Sequence, residues 1–500
     1  MGTTSGQQSA PCVREATVIA SHFARSKCED GALSAFRRER VPMTADALLA
    51  LGLLLSSSSQ LRVAGLPIGP GEICMVIWLL LMLAGTIGRI SSPLTPAFPR
   101  MLIFWAIFGT AQSVGTLTGL ATGEDYDVSW FMHDAMAYVL LAAVSCMSVI
   151  DPASGSRLRR VAWLLASIGN AWLALQLAGA WGLISVPIDP WFWERFRGWS
   201  SNPNQLSLVC AVLGLTSLYL AESAVRLPER TAAIGCLILP AYVGRLTQSD
   251  TFTITLLAAG PIFLAIKLAM SLFSSDRKLT VQRALAWVAI IALPLMLAST
   301  IPFAVSDISE ARQLAMGLAK NNGSGATEEA DLRLFLWREA LRRGFEAGTL
   351  GLGPGPHLPI PPSIVAARAS YGVQPDDMNH PESTSSPNFE AHNTVLDLFT
   401  QGGLIAVLSF LWLTGTAFVI ACRARMAGLA TLLGGLAIHA MSGLIVRSPL
   451  FWFAIALCLV SQDRGRKSVC GQSASPFPLF PDHGILNATY AGRIETSSRL

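Results

Sequence analysis

Glu390-Ala391-His392-Asn393 leads directly into TVLDLFTQGGLIAVLSFLWLTGTAFVI at 394–420, where a long polar interval meets an apolar run. The polar interval begins near Val305, and most of the remaining chain consists of apolar runs joined by short turns. The apolar run is long enough to cross a bilayer, which takes roughly 20 residues. A His and an Asn therefore lie at the start of a predicted membrane helix, where one large loop leads into it. This junction is where we expect the chemistry.

The composition is that of an integral membrane protein. Of the 500 residues, 52% are hydrophobic and 14% are charged, whereas soluble domains carry about 25% charged residues. The net charge of +4 is small and gives no indication of nucleic-acid binding. All nine cysteines lie in apolar runs or in the tails, so we expect reduced thiols and packing residues instead of disulfides.

The apolar runs predict an all-α, polytopic membrane protein of about twelve transmembrane helices, with one large external loop between helices nine and ten. The runs lie near 43–61, 70–88, 98–119, 130–150, 158–182, 203–221, 230–247, 251–273, 282–303, 393–421, 426–446 and 448–461. The predicted organisation is a tail at 1–42, helices one to nine at 43–303, the large loop at 304–391, helices ten to twelve at 392–461 and a tail at 462–500.

Basic residues lie in alternate short loops along the whole chain, whereas the loop at 123–127 is acidic. The positive-inside rule then places both termini in the cytoplasm and the large loop outside. The first apolar run follows a polar tail of about forty residues that includes Arg37, Arg38 and Arg40. This pattern predicts a retained first helix instead of a cleaved signal peptide.

The large loop contains one predicted helix and one predicted turn. Apolar residues recur at helical spacing from Ala326 to Gly344, which indicates an amphipathic helix. The sequence LGLGPGP at 350–356 must form a turn. This turn lacks the Lys-Ser/Thr pair of a nucleotide-binding phosphate loop, so we do not expect ATP to bind there.

Four arginines lie on the predicted outer side, against the positive-inside rule: Arg195, Arg197, Arg245 and Arg447. A guanidinium group fits phosphate oxygens, so we expect at least one of the four to bind a substrate anion. The alternative for each is an interfacial arginine that contacts lipid headgroups. Asn202 and Asn204 begin the sixth helix, either as a plain cap or as part of an anion site.

His392 is the predicted catalytic base. The positive end of a helix dipole disfavours imidazolium, and a neutral His accepts a proton from a hydroxyl group. The alternative is an interfacial residue that caps the helix. Competing residues in the same loop are His357, His380, Asp376, Asp377, Glu382 and Glu390. No metal-ligand or Ser-His-Asp pattern appears, so we expect neither a metal nor another cofactor.

Three pieces of the chain resemble the O-antigen ligase and polymerase superfamily, which are membrane enzymes of surface-polysaccharide assembly. These pieces are RGWSSNPN at 197–204, RLFLW at 333–337 with GLGPG at 351–355, and HN at 392–393 with GGL at 402–404. They occur in the family's order within about twelve helices. The chain departs from the family at 248–250, where it has Gln-Ser-Asp and many members carry Ser-Arg. Either Arg245 supplies the missing charge, or this chain binds its donor differently.

The resemblance implies a metal-independent glycosyl transfer outside the bacterial inner membrane, from a glycan on undecaprenyl diphosphate. It implies that His392 activates the acceptor hydroxyl. It also implies that the diphosphate and the glycan are bound by Arg195, Arg197, Asn202, Asn204, Arg245, Arg333 and Asn393. The acceptor would be another lipid-linked glycan for an exopolysaccharide or O-antigen polymerase, which we favour, or lipid A core for a ligase. Other polysaccharide-assembly proteins are possible partners.

A transporter or flippase of about twelve helices is the alternative from another class of protein. Transporters tend to carry ionisable groups near the bilayer midplane and to show related halves. Here the outer charges gather at helix mouths, and the single large loop argues against two equal halves. The sequence therefore favours the enzyme.

Overall fold

The computed structural model shows a bundle of helices with two short pairs of strands. It describes residues 43–62, 68–87, 94–124, 128–186, 188–192, 194–272, 325–359 and 388–461. The predicted ninth helix at 282–303 and both tails lie outside these residues. Most of the loop segment that follows the glycine turn also lies outside them.

The helices up to the large loop are α1 Met43–Leu55, α2 Pro70–Ile87, α3 Ala97–Thr122, α4 Val128–Val149, α5 Ser154–Ala180, α6 Pro203–Ser223, α7 Leu227–Leu246 and α8 Asp250–Leu272. The later helices are α9 Gly325–Glu346, α10 Thr394–Arg423, α11 Ala427–Ala440 and α12 Pro449–Val460. Two 3₁₀ turns are η1 Ser59–Leu61 and η2 Ile445–Arg447. Two antiparallel strand pairs join β1 Trp191–Phe192 to β2 Arg195–Phe196, and β3 Leu358–Pro359 to β4 Asn388–Phe389.

Two helices are shorter than the sequence predicted. The first run was expected to remain helical to residue 61, but α1 ends at Leu55. Ser56 and Ser57 follow, and their hydroxyls donate to the carbonyls of Leu53 and Leu54, which competes with continuation of the helix. The run at 426–446 similarly divides into α11 and the turn η2.

The described helices support an all-α, polytopic membrane protein. Among them, α3, α4, α5, α6, α8 and α10 are long and apolar enough to cross a membrane, and α1, α2, α11 and α12 are shorter apolar helices. Large apolar side chains are exposed on the outward faces of this bundle, for example Leu80, Leu102, Leu264 and Leu408. Apolar surface of this extent is expected where helices face lipid.

The short last helix lies at the centre of the bundle. Every residue of α12 from Leu450 to Val460 is buried. The Trp452 ring lies 4.4 Å from the Trp105 ring of α3, between centroids, and its indole donates to the Val446 carbonyl at 2.7 Å. A helix that is apolar on all sides is stable when other helices surround it. The central position of α12 explains its uniform composition.

A break in α10 receives the glycine turn of the large loop. Gly403 has φ 65° and ψ −163°, which interrupts the helix. Around the break, the Leu352 amide donates to the Thr400 carbonyl at 2.7 Å, and the Leu404 amide donates to the Thr349 carbonyl at 2.9 Å. Backbone groups released by the break are therefore bonded within the protein, as non-helical backbone at membrane depth requires.

The glycine turn also lies close against α3. The Gly353 amide donates to the Gln401 carbonyl at 2.7 Å. A Cβ atom at Gly115 of α3 would lie 2.8 Å from that same amide nitrogen and would also collide with the Gln401 carbonyl. Glycine at position 115 therefore permits the backbones of α3, the turn and α10 to meet.

The amphipathic helix α9 lies beside the start of α10. Its observed bounds include the whole of the predicted helix. Leu336 and Ala340, on one face of α9, form a small buried cluster with Leu358 and Ala391. The Trp337 indole donates to the Ala391 carbonyl at 3.2 Å. These contacts attach the loop helix to the junction at which α10 begins.

We use the name loop face for the end of the bundle formed by residues 59–62, 123–124, 188–192, 194–204, 245–250, 347–359, 388–394 and 441–448. Hydrogen bonds join these segments to one another, as between the Gln60 side chain and the Ser200 carbonyl at 2.7 Å. The basic pairs Arg160–Asp46 and Arg157–Asp151 lie at the opposite end.

Candidate functional site

His392 is exposed on the loop face, directly before α10. Its φ of 51° lies in the left-handed region, which non-glycine residues adopt at some cost in energy. The next residue, Asn393, caps the helix, because its side-chain oxygen accepts hydrogen bonds from the amides of Val395 at 3.0 Å and Leu396 at 3.3 Å. The structure therefore has the helix mouth that the sequence predicted, with His392 beside it.

Buried Asp397 fixes the backbone on both sides of His392. Its two carboxylate oxygens accept hydrogen bonds from the Ala391 amide at 2.6 Å and from the Asn393 amide at 3.1 Å. Only 2% of Asp397 is exposed. The His392 side chain is thus presented to the outside from a backbone that a buried carboxylate holds in place.

A second group, the Arg447 cluster, consists of Arg447, Glu390 and Asp134. One guanidinium nitrogen of Arg447 donates to Glu390, and another donates to Asp134, whose side chain is fully buried. Burial by itself lowers the pKa of Arg447, but the two carboxylates outweigh burial and raise that pKa above its ordinary value. The cluster joins η2, the segment before α10, and α4.

A line of polar side chains continues from α4 to the glycine turn. Tyr138, one turn after Asp134, donates its hydroxyl hydrogen to the Gln401 side-chain oxygen at 2.9 Å. The Gln401 side-chain nitrogen donates to the Gly355 carbonyl at 3.3 Å. Asp134, Tyr138 and Gln401 were not predicted from the sequence as members of the site. The sequence did offer one indication of this part of the site. Asp134 is an ionisable residue within an apolar run, and such a residue in a membrane helix indicates function.

A third group, the Glu124 cluster, consists of Glu124, Arg343 and His357. Arg343 of α9 donates to Glu124 at 3.1 Å, and the Nδ1 atom of His357 lies 3.6 Å from the same carboxylate. The nearby His357 ring and then the charge of Arg343 outweigh burial and hold the pKa of Glu124 below its ordinary value of 4.5. The Nε2 atom of buried His357 faces the Gly353 carbonyl at 2.8 Å. The cluster therefore ties α9, the glycine turn and the end of α3 together.

Arg195 and Arg245 lie near each other where α7 meets α8. The Nε of Arg195 donates to the Thr247 carbonyl at 3.1 Å, and one of its terminal nitrogens donates to the Asn204 side chain at 3.1 Å. Arg245 donates to the Thr253 hydroxyl in the first turn of α8. Both residues are partly exposed on the loop face, and their predicted binding of an anion remains a prediction.

Arg197 is buried, with 1% of the residue exposed. It donates to the Asp189 carbonyl at 3.3 Å and to the Ser201 carbonyl at 3.4 Å, and its guanidinium lies 5.6 Å from the centre of the Phe192 ring. These contacts hold the segment before α6 in shape. Asn202 caps α6, as the sequence predicted, by accepting from the amide two residues further on.

The remaining predicted residues are distributed as follows. Arg333 is half-buried on α9, and its assignment to substrate binding remains a prediction. Among the competing bases, His357 is buried and Glu390 belongs to the Arg447 cluster. Outside the described residues lie His380, Asp376, Asp377 and Glu382.

The turn between α11 and α12 connects the arginine pair to the neighbourhood of His392. The Thr251 hydroxyl of α8 donates to the Ser442 hydroxyl at 2.8 Å. The Thr394 hydroxyl at the start of α10 donates to the next carbonyl, that of Gly443, at 2.6 Å. The starts of α8 and α10 are therefore fixed to one short turn, with Arg245 on one side of it and His392 on the other.

The fold and the site together define an all-helical, polytopic membrane protein that carries its candidate site residues at one end of the bundle. Residues 235–411 match a family model described as O-Antigen ligase. The match begins within α7, ends within α10, and includes Arg245, Arg333, His392 and Asn393. It confirms the resemblance to the O-antigen ligase and polymerase superfamily and indicates glycosyltransferase-like activity in glycan assembly at a membrane. No curated protein matches the chain.

Proposed function

We propose that this protein is a glycosyltransferase that lengthens a glycan carried on undecaprenyl diphosphate, on the periplasmic side of the bacterial inner membrane. The observation that supports this proposal most strongly is the position of His392. It is exposed at the mouth of α10, its neighbouring amides are held by buried Asp397, and it lies within the part of the chain that matches the family model.

The proposed reaction needs one base and one leaving group. Neutral His392 takes the proton of the acceptor hydroxyl, the hydroxyl oxygen bonds to the anomeric carbon of the donor sugar, and the bond from that carbon to the diphosphate oxygen breaks. Undecaprenyl diphosphate leaves with the bonding electron pair. The dipole of α10 favours the neutral form of the ring. A positioned base contributes on the order of 10²–10⁴-fold to the rate.

The donor diphosphate is assigned to the arginine pair on the loop face. Arg195 and Arg245 are partly exposed there, and guanidinium groups bind phosphate oxygens through paired hydrogen bonds. The capped start of α6, at Asn202 and Asn204, adds the positive end of a helix beside them. We assign Arg333 and Asn393 to the glycan, and Arg197 to support of the segment that carries Arg195.

The acceptor distinguishes two candidate functions. A polymerase, which we favour, uses a second lipid-linked glycan. A ligase uses lipid A core, and it is the second candidate because the matched family model is described as a ligase. Neither reaction requires a metal or a nucleotide, since the diphosphate is already attached to the donor.

A reaction with purified protein tests the function. Lipid-diphosphate glycan is supplied alone, or together with lipid A core, in detergent and with EDTA present. Longer lipid-linked glycan from the donor alone supports the polymerase, whereas transfer that requires lipid A core supports the ligase. If neither mixture consumes the donor, the proposed activity is wrong. Movement of the glycan lipid across vesicles without chemical change would instead identify a flippase.

Orientation is tested separately. We propose that both termini are cytoplasmic and that the loop face is periplasmic. An epitope inserted after Gly182, on the loop-face side of α5, should bind antibody in intact spheroplasts. An epitope inserted after Arg425, between α10 and α11, should bind antibody only after permeabilisation. The reverse pattern would place His392 in the cytoplasm and contradict the proposed reaction.

A further inference from the structure

An apolar groove lies between α6, α7 and α8, apart from the polar site. The empty space of the groove, counted together with the space at its open side, is about 630 Å³. The groove walls carry the apolar side chains Leu215, Leu218, Leu237, Leu256 and Phe263. Because α6 and α8 are both candidate membrane-spanning helices, the groove lies at membrane depth.

Polar groups are nearly absent from the groove. Thr255 lines it, but its hydroxyl donates to the Thr251 carbonyl of its own helix at 2.7 Å. The only other non-carbon side-chain atom in the lining is the thiol of buried Cys210. A sugar or an ion would find no hydrogen-bonding partner there and would lose its hydration. The lining therefore suits a hydrocarbon chain.

One end of the groove lies beside Arg245. Phe252 lines the groove, and its ring packs against the backbone of Gly244, so closely that a Cβ atom there would collide with it. Arg245 is the next residue after Gly244, and it donates to Thr253, the next residue after Phe252. A cationic side chain at the end of a hydrocarbon-lined groove matches a ligand that has an anionic head and a long apolar chain.

We infer that this groove binds the polyprenyl chain of the lipid-diphosphate donor, with the diphosphate at Arg245. The inference extends the proposed function and rests on it for the identity of the donor. It assigns to α6, α7 and α8 the selection of donors by chain length. A groove filled by ordinary bilayer lipid is the alternative occupant, and such a groove would give no selection by prenyl length.

Gly214 offers a direct way to fill the groove. It lines the groove on α6, and a Cβ atom built there meets no other atom within 4 Å. A Gly214→Leu side chain would therefore occupy the empty space without displacing the helices. Gly415 on α10 is the matched control, because it is also helical, also has no atom within 4 Å of its Cβ position, and is absent from the groove.

The test measures binding instead of turnover, by native mass spectrometry of purified protein. The ligands are undecaprenyl diphosphate and a diphosphate on a two-isoprene chain. We expect the parent and Gly415→Leu to bind the long-chain ligand more tightly than the short-chain ligand. Gly214→Leu should lose about 10-fold in affinity for the long chain and retain its affinity for the short one. Melting temperatures of the three proteins establish that all are folded.

The outcomes distinguish a failure of the groove assignment from a failure of the proposed reaction. Equal affinities of the parent for the two chain lengths, or an equal loss for both ligands in Gly214→Leu, would overturn the assignment of the groove. No binding of either ligand by the parent would also overturn it. The parent protein could prefer the long-chain ligand, with this preference lost in Gly214→Leu, and still fail to transfer glycan. That result would contradict the proposed function and leave the groove assignment supported.

Discussion

Asp397, one turn inside α10, accepts hydrogen bonds from the backbone amides immediately before and after His392. A buried carboxylate thereby holds an exposed imidazole in left-handed backbone geometry. Strained backbone of this kind persists where the surrounding structure enforces it, and it is concentrated at functional sites. The pair links the buried start of α10 to the side chain that we propose as the base.

Loss of the Asp397 carboxylate should reduce turnover without removing donor binding. Asp397→Ala leaves two amides without their acceptor and allows His392 to move, and a displacement of about 1 Å can cost about 10²-fold in rate. We expect kcat to fall by about that factor while the donor KM stays the same. Ser409→Ala, at another buried polar residue of α10, is the control and should retain kcat. Full turnover in Asp397→Ala would mean that His392 does not depend on it.

The Arg447 cluster should contribute strongly to stability. Removing one member of a buried ion pair costs about 3–5 kcal/mol, because the partner charge remains buried. Arg447→Ala should therefore lower the melting temperature in detergent markedly. Arg62→Ala removes the more exposed Arg62–Glu72 pair, where the expected cost is about 0–1 kcal/mol. Equal melting temperatures for the two variants would show that the cluster is dispensable for the fold.

The Glu124 cluster should be sensitive to acid. Because its pKa is lowered in the folded protein, the Glu124 carboxylate stabilises the fold above the ordinary value of 4.5, and this stabilisation is lost as the pH falls through the lowered pKa. The parent should melt at a higher temperature than Glu124→Gln at neutral pH. The difference should shrink below pH 4.5. A difference that is constant or grows in acid would contradict the ion pair of Glu124 with Arg343.

The two neighbouring arginines of the loop face should behave differently. Arg197→Ala removes the bonds that this buried arginine makes to Asp189 and Ser201, so we expect lower stability together with poorer use of the donor. Arg195→Ala should raise the donor KM with little change in melting temperature, and Arg195→Lys should restore it only in part. Arg159→Ala, at the opposite end of the bundle, should affect neither. An unchanged donor KM in Arg195→Ala would remove that residue from the proposed diphosphate site.

Local features of the fold could be predicted from the sequence because they depend on neighbouring residues. The apolar runs predicted the apolar helices that the structure describes, although two of these helices are shorter than their runs, and Asn202 and Asn393 were recognisable caps. The glycines at 351–355 predicted a turn, but not that the turn enters a break at Gly403. That fit depends on backbone hydrogen bonds between separate segments, which no local pattern contains.

The polar clusters were missed because their members are far apart in the chain. Arg447 and Asp134 are separated by 313 positions, and Arg343 and Glu124 by 219. Arg447 was recognisable as an outer arginine and the loop at 123–127 as acidic, but periodicity and spacing do not show which residues pair. The burial of individual side chains could not be predicted from the sequence either. Arg197 was expected to contact a substrate anion or lipid headgroups, but it is buried within the segment before α6.

The most direct test of the account is glycan transfer by His392→Ala, with donor binding measured separately at matched protein concentration. The account predicts that turnover falls by about 10²–10⁴-fold while the protein inserts normally and binds the donor as the parent does. His357→Ala, which alters a buried residue of the Glu124 cluster, should have a milder effect on turnover. If His392→Ala still makes long polymer at near the parent rate, His392 is not the base and the central claim is wrong.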